Sequence, residues 1–275
     1  ENQMLSRIDG NFEDKPLIQR AHKKAGQLFE REAIKISSFA DLYGDEVIAN
    51  DEQKVARLKK VFELEKRGKI PADILEAIIL QEAELSDWFG PHASTIKTSE
   101  FDDFINGVDL TVEFNEPQRS ASHLALAVDG TFGATTISKK FDRIKAEIDR
   151  GELATIKYFE SQNSSFKGRL SFVPRVVIGV DKEALLRLAG MWTLEEKKEL
   201  AAHPISQLIL LQTHAQLRAF AAYAERNGKD KLARPFANSI AIIEEVLKGK
   251  STTSLDFLAD DKVNKEILEH LSMFS

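Results

Sequence analysis

The residues best suited to chemistry are two aspartates near the middle of the chain, Asp109 and Asp129, each at an end of a segment of alternating apolar and polar residues. A period of two predicts β-strands, and the polar residues between the segments predict a hairpin turn. With the turn centred near Arg119, Asp109 lies opposite Asp129, and Thr111 lies opposite Ala127. Both aspartates are then expected at the same end of one sheet face.

Two carboxylates in this arrangement need a compensating charge. Cross-strand Cβ atoms are about 5 Å apart, so the carboxylates repel each other unless a cation or a proton lies between them. Mg²⁺ and Mn²⁺ are hard ions that prefer oxygen ligands, and we expect one of them here. Asp103 is a candidate third carboxylate, because Glu100, Asp102 and Asp103 directly precede the first strand. Glu113 shares the face but lies farther along its strand, and it ranks second.

Two lysines are expected close to the aspartates. Lys139 and Lys140 lie in the first turn of a predicted helix that begins soon after Asp129, with Thr135 or Thr136 as its N-cap. Cations in a first turn oppose the helix dipole, which favours acids at that end. Residues that contradict a local preference are typical of functional positions. We therefore include both lysines in the candidate site.

The segment EFDDFINGVD (100–109), followed by a strand and then AVDGT (127–131), resembles the core of the PD-(D/E)xK nuclease superfamily. Members of that family have an αβββαβ core, with an aspartate at the start of one strand and an acid-x-lysine motif on the next. Thr131 stands where the family has its lysine. Some members supply the lysine from the following helix, and Lys140, followed by Lys139, is the candidate for that role.

The resemblance covers roughly residues 97–160 and implies both a fold and an activity. The fold is a restriction-endonuclease-like mixed β-sheet flanked by helices. The activity is hydrolysis of phosphodiester bonds, in which carboxylates hold Mg²⁺ or Mn²⁺ and a lysine orients or deprotonates water. By this resemblance Asp109 and Asp129 are metal ligands, and the main-chain carbonyl of Gly130 or the hydroxyl of Thr131 completes the set.

The departure from the family motif leaves two functions open. One is a divalent-metal-dependent nuclease acting on DNA or RNA. The other is a catalytically inactive scaffold with the nuclease fold, which binds protein or nucleic acid. The formal charge of −6 gives nucleic acid no independent support as a partner. Amphipathic helices near both ends of the chain offer surfaces for a homo-oligomer.

Composition excludes several other classes of protein and site. The chain has no cysteine, which rules out disulfides, thiolate metal sites and cysteine nucleophiles. Its six histidines lack the short spacings of metal ligands. No apolar run approaches the roughly 20 residues of a membrane span, and the first residues lack a signal pattern. We therefore predict a cytoplasmic protein that does not contact membranes.

Hydrophobic periodicity predicts three regions along the chain. Residues 1–95 have the spacing of three and four that is typical of amphipathic helices. Residues 96–192 are predicted to form the α/β core, in which residues 153–159 follow the helix as a parallel strand and the apolar run 173–180 adds to the same sheet. Residues 193–275 are predicted to be helical again.

Local signals predict where some of these elements begin and end. The polar stretch 92–99 is expected to be a boundary loop between the first two regions. Asp181 is the predicted N-cap of the helix that follows the apolar run. Thr193 and Glu196 have the spacing of a capping box.

Overall fold

The computed structural model describes residues 12–62, 69–115, 122–129, 134–250 and 261–275. Within them the chain is a mixed α/β structure. The strands are Ala93–Lys97 (β1), Leu110–Phe114 (β2), Ser122–Asp129 (β3), Ala154–Glu160 (β4), Lys167–Val173 (β5) and Arg175–Gly179 (β6). The α-helices are Pro16–Glu32 (α1), Ala40–Tyr43 (α2), Asp45–Phe62 (α3), Lys69–Leu85 (α4), Ala134–Asp149 (α5), Lys182–Thr193 (α6), Lys197–Ala202 (α7), Ile205–Arg226 (α8), Ala233–Gly249 (α9) and Lys262–His270 (α10). A short π-helical turn, Asp102–Asn106, lies between β1 and β2.

Four strands form the main sheet in the order β1-β2-β3-β6, in which β1, β2 and β3 are antiparallel and β6 is parallel to β3. The prediction that residues 153–159 supply the parallel strand is wrong, because β4 pairs with β5 in a separate two-stranded sheet. Burial explains the difference. All five residues of β6 are buried, as a covered parallel strand requires, whereas β4 includes two half-buried residues and one exposed residue.

The hairpin of β2 and β3 is confirmed, but its register differs from the prediction. Thr111 pairs with Ala125 instead of Ala127, so the strands are shifted by two residues and Asp109 is not directly opposite Asp129. Alternation determines which residues share a face, and a shift of two leaves that unchanged. The predicted centre of the turn, Arg119, lies outside the described residues.

A strand replaces the predicted boundary loop. β1 occupies residues 93–97, so the predicted division between residues 95 and 96 lies inside a strand of the main sheet. Thr95 and Lys97 give this strand a polar sequence, yet both residues are buried. One buried hydrophobic cluster extends from α1 and α4 across the sheet to α8, α9 and α10.

Helix boundaries correct two further predictions. α5 begins at Ala134, so Lys139 and Lys140 lie in its second turn, where the dipole effect on charges has largely faded. Thr193 ends α6 instead of capping the next helix, and its hydroxyl donates a hydrogen bond to the carbonyl of Ala189 at 2.7 Å. The Asp181 cap is confirmed, since its side chain accepts two backbone N–H bonds at the start of α6.

The chain is helical on both sides of the α/β centre, as the sequence predicts. None of the described helices combines the length and the apolarity that crossing a membrane requires.

Two glutamines of α8 cover the open edge of β6. The Gln216 side chain accepts a hydrogen bond from the Val177 N–H and donates one to the Val177 carbonyl, both at 2.8 Å. Gln212 contacts the N–H and carbonyl of Gly179 in the same way, at 3.4 and 3.0 Å. Buried backbone groups at a sheet edge need such partners. The edge of β6, the neighbour of β3, is thereby closed.

We expect Gln216→Leu to lower the free energy of unfolding by about 2–4 kcal/mol, because it leaves a buried N–H and a buried carbonyl of Val177 unpaired. Urea denaturation followed by circular dichroism measures the change. The control is Gln19→Leu on the exposed surface of α1, which is expected to change stability by less than about 0.5 kcal/mol. Equal losses in the two variants would contradict the role of Gln216.

Candidate active site

Four consecutive pieces of the fold bring acidic and basic side chains together at the start of β2. α4 supplies Glu76, β1 supplies Lys97 at its end, and the turn after β1 supplies Asp103. Asp109 directly precedes β2 and bonds through its N–H to the Leu126 carbonyl of β3 at 3.0 Å. The site is therefore built on helix and sheet, with one carboxylate on the connecting turn.

Lys97 is the centre of this cluster. Its side chain is 7% exposed, and Nζ lies 2.6 Å from Glu76 Oε1, 3.1 Å from Asp103 Oδ2 and 3.2 Å from the main-chain oxygen of Asp109. Burial alone lowers the pKa of Lys97, but the carboxylates of Asp103 and Glu76 outweigh burial and raise the pKa above its ordinary value. The ammonium therefore stays charged and is paired with Asp103 and Glu76.

Asp103 and Asp109 form a carboxyl pair. Burial, and next the charge of Asp103, raise the pKa of Asp109 to about 6, against the opposing charges of Lys140 and Lys97. Burial also acts to raise the pKa of Asp103, but Lys97 and a hydrogen bond from Asp109 lower it below its ordinary value. The two carboxyl groups therefore share one proton in mildly acidic solution.

The backbone of Val128 connects Asp109 to Lys140. The Val128 N–H donates a hydrogen bond to Asp109 Oδ2 at 2.7 Å, and Lys140 Nζ donates one to the Val128 carbonyl. Lys140 is also close enough to lower the pKa of Asp109. Lys139, in contrast, is exposed. Of the two predicted lysines, the structure therefore brings Lys140 to the carboxyl pair.

The remaining predicted ligands lie at or beyond the limit of the described structure. Asp129 is the last residue of β3 and pairs with Gly179 of β6 in the parallel register. Its side chain lies outside the described part, as do Gly130 and Thr131 altogether. With the observed register, the backbone of Asp129 is two residues past the position opposite Asp109. The contribution of these three residues stays a prediction.

Other carboxylates near the first strand have structural roles. Asp102 is buried and accepts hydrogen bonds from the N–H groups of Lys157 and Tyr158 at 2.7 and 3.0 Å, which fixes the turn to β4. Glu113 lies at the far end of β2, where it accepts a hydrogen bond from the Ser161 hydroxyl at 2.7 Å. Glu113 is therefore not part of the candidate site.

The sequence reasoning missed Glu76 and Lys97. Glu76 stands between Leu75 and Ala77 in the most apolar stretch of α4, and it is only 4% exposed. Burial raises its pKa well above the ordinary value, although Lys97 opposes this effect. An acid surrounded by buried apolar residues was the available signal, because a buried carboxylate needs a charged or hydrogen-bonding partner.

A cavity of about 600 Å³ opens against this cluster, and Glu76, Lys97 and Asp103 form part of its wall. The residues lining it include six carboxylates and four lysines. With all these groups ionised, the wall carries two more negative charges than positive ones. Such a cavity attracts cations and, by itself, repels a phosphate group.

The carboxyl pair meets one requirement of a divalent cation, since it offers adjacent carboxylate oxygens as ligands. Among the described side chains, no three of His, Asp or Glu converge closely enough to hold a metal ion. Asp103, the predicted third carboxylate, and Asp109 therefore offer two oxygen ligands, and the side chain of Asp129, predicted as a ligand beside Asp109, is not described.

Comparison of the chain with protein-family models, with curated proteins and with solved structures finds no match. The assignment of a function therefore depends on the residues and geometry of this site.

We expect Asp109→Asn to remove a pH dependence of stability in metal-free buffer. The pKa of Asp109 is higher in the folded state than in the unfolded chain, so the protonated carboxyl group stabilises the fold below about pH 4. This contribution is lost as the pH rises through about 6. The loss amounts to at most about 3 kcal/mol. Asparagine keeps an oxygen for the Val128 N–H and does not titrate.

Urea denaturation between about pH 4 and pH 8 measures this difference in the free energy of unfolding. The native curve is expected to fall relative to that of Asp109→Asn, whereas the exposed control Asp142→Asn is expected to run parallel to the native one. The charged and titratable groups that interact with Asp109 are unchanged in these variants: Asp103, Lys97, Lys140, Glu76 and Arg175. Parallel curves for all three proteins would contradict a shared proton at Asp109.

Proposed function

We propose that this protein is a cytoplasmic, divalent-metal-dependent nuclease of the PD-(D/E)xK type, which hydrolyses phosphodiester bonds in nucleic acid. The observation that carries the proposal is the Asp103–Asp109 carboxyl pair at the start of β2, with the Lys140 ammonium on the adjacent backbone of Val128. Two acids and a lysine at one end of a mixed sheet are the groups that this chemistry needs.

The order of elements supports the resemblance. α4, β1, β2, β3, α5 and β6 follow one another in the order αβββαβ, with the β4–β5 hairpin inserted between α5 and β6. The aspartate expected at the start of the second strand is Asp109. Lys140 comes from the helix after the third strand, which is the position expected when the motif lysine is absent, as it is at Thr131.

Asp103 and Asp109 would hold the metal, together with Asp129 as proposed from the sequence. A bound Mg²⁺ or Mn²⁺ supplies Lewis-acid stabilisation of the phosphate charge and a water of lowered pKa. The acidic cavity supports the need for a metal ion. Its two excess negative charges disfavour the binding of a phosphodiester until cations neutralise them. Lys97 holds Asp103 in place through its buried ion pair.

Lys140 is the residue to which we assign the general acid–base role. Its ammonium is fixed by the Val128 carbonyl, and its charge acts on Asp109. In this position it orients water or holds a proton for the reaction, as a general acid–base group does within one hydrogen bond or one water of the reacting atoms. Lys139 is exposed one residue earlier and provides a matched comparison.

A second candidate function is a catalytically inactive scaffold with the same fold. One observation favours it: Lys97 already compensates Glu76 and Asp103, and Asp109 already accepts the Val128 N–H that β2 leaves unpaired. Each polar group then has a structural purpose without a metal. In this alternative, nucleic acid or a protein is bound without hydrolysis, and the amphipathic helices contact a partner or a second copy of the chain.

We expect the native protein with Mn²⁺ or Mg²⁺ to cleave DNA or RNA, and Lys140→Ala to reduce the rate at least about 100-fold, the usual contribution of a general acid–base group. Lys139→Ala is the control and is expected to retain the rate within about twofold. Gel assays with single- and double-stranded substrates measure cleavage, and melting temperatures confirm that each variant is folded. Asp109→Ala is expected to be inactive.

Two results would overturn the proposal. One is a folded native protein that cleaves none of these substrates with either metal, which leaves the scaffold function. The other is equal activity of Lys140→Ala and Lys139→Ala, which excludes Lys140 from the reaction.

A further inference from the structure

A second cavity adjoins the turn that carries Asp103. It has a volume of about 390 Å³ and is lined by residues of α5, β4, β5 and the start of β6. Asp103 and Phe104 of the turn line the acidic cavity, whereas Asn106 lines this one. The wall carries four arginines, one lysine and two glutamates. Its charge is therefore opposite in sign to that of the first cavity.

Part of this positive charge is already paired. Lys157 forms an ion pair with the buried Asp51, which lies outside the cavity wall. Arg150 pairs with Glu152 through Nε and Oε2 at 3.0 Å. These contacts leave three guanidinium groups and one carboxylate to face the cavity.

The three remaining arginines share Glu147. Arg175 Nη2 donates a hydrogen bond to Glu147 Oε1 at 3.1 Å, and Arg143 Nε lies 3.8 Å from the same oxygen. Arg169 lines the cavity from β5 and is exposed, and none of the ion pairs of the described residues involves it. The cavity therefore has an uncompensated charge of +2.

Arg175 is the most deeply buried of the three arginines. It is 4% exposed, and its Nε has no hydrogen-bond partner among the described residues. Burial, and in addition the charge of Arg143, lower its pKa to about 10, although Glu147 opposes the shift. A buried donor on a charged group is costly to leave unpaired.

Glycine at position 107 allows the two guanidinium groups to approach the turn. Its φ is +64°, and a Cβ there would lie 2.4 Å from Arg143 Nη1 and 3.4 Å from Arg175 Nη1. Arg143 is held further by the carbonyl of Ile105, to which its Nη2 donates. Two like charges are thus fixed side by side before any ligand binds, which is the preorganisation that anion binding needs.

We propose that this cavity binds the phosphate monoester group of a ligand, with Arg143, Arg169 and Arg175 as its donors. A phosphate monoester carries close to two negative charges at neutral pH and three acceptor oxygens, which match the charge of +2 and the three guanidinium groups. A carboxylate or an internal phosphodiester carries one negative charge and leaves one positive charge of the cavity uncompensated. The binding does not depend on the proposed nuclease activity.

Two sources of such a group share this chemistry. One is the terminal phosphate of a nucleic-acid strand, and the other is inorganic phosphate or a small phosphorylated molecule.

The test uses the full chain at about pH 7.5, where the monoester is mostly a dianion. Melting temperatures are measured with inorganic phosphate and with sodium chloride of equal ionic strength. Fluorescence anisotropy then compares a 5′-phosphorylated oligonucleotide with its 5′-hydroxyl twin, without divalent metal.

The variants are Arg169→Ala and Arg143→Ala, which remove exposed side chains, and the control is Arg187→Ala, an exposed arginine on α6. Phosphate is expected to raise the native melting temperature more than chloride does. The affinity for phosphate is expected to fall about tenfold in each cavity variant, as one lost charge-assisted hydrogen bond implies, and to be unchanged in Arg187→Ala. The control accounts for the general stabilisation that phosphate salts give.

The oligonucleotides identify the source. About tenfold tighter binding of the phosphorylated strand, lost in Arg169→Ala, supports the site and assigns it to strand ends. Equal binding of the two strands, with the phosphate effect retained, supports the site and assigns it to small phosphates. Equal stabilisation of native protein, Arg143→Ala and Arg169→Ala by phosphate overturns the proposal.

Discussion

The ion pair network around Lys97 is the interaction on which the rest of the site depends. A buried ammonium is stable only where carboxylates compensate it, and Glu76 and Asp103 do so at 2.6 and 3.1 Å. Because these residues come from α4, β1 and the following turn, the network connects three separate elements of the fold. Removing both acids would leave the buried ammonium of Lys97 uncompensated, at a cost of several kcal/mol.

This network also explains why Asp109 is unusual. Lys97 contacts Glu76 and Asp103, so its charge, that of Lys140 and the N–H of Val128 stabilise the Asp109 carboxylate only in part. Burial and the charge of Asp103 outweigh this shortage of positive charge and raise the pKa of Asp109. A divalent cation would correct the shortage, whereas the arginine cavity beside the same turn has an excess of positive charge. The two cavities therefore favour ligands of opposite sign.

The sequence predicts the parts of this arrangement that depend on local pattern. Alternation identifies the hairpin and places Asp109 at the start of its strand, and the proximity of Asp103 and Lys140 follows from short connections. The register does not follow, because a two-residue shift preserves alternation. Glu76 and Lys97 were missed because a charged residue within an apolar or strand segment is normally assigned to the surface. Only the three-dimensional structure shows that each compensates the other.

The central claim is that Asp103 and Asp109 share a proton that a divalent cation displaces. Isothermal titration calorimetry of Mn²⁺ binding, repeated in buffers of different ionisation enthalpy, counts the protons released per bound ion. At about pH 5 we predict the release of close to one proton, falling towards zero above about pH 7, and no such release from Asp109→Asn. Mn²⁺ binding at about pH 5 without proton release, or with the same release from Asp109→Asn, would contradict the account.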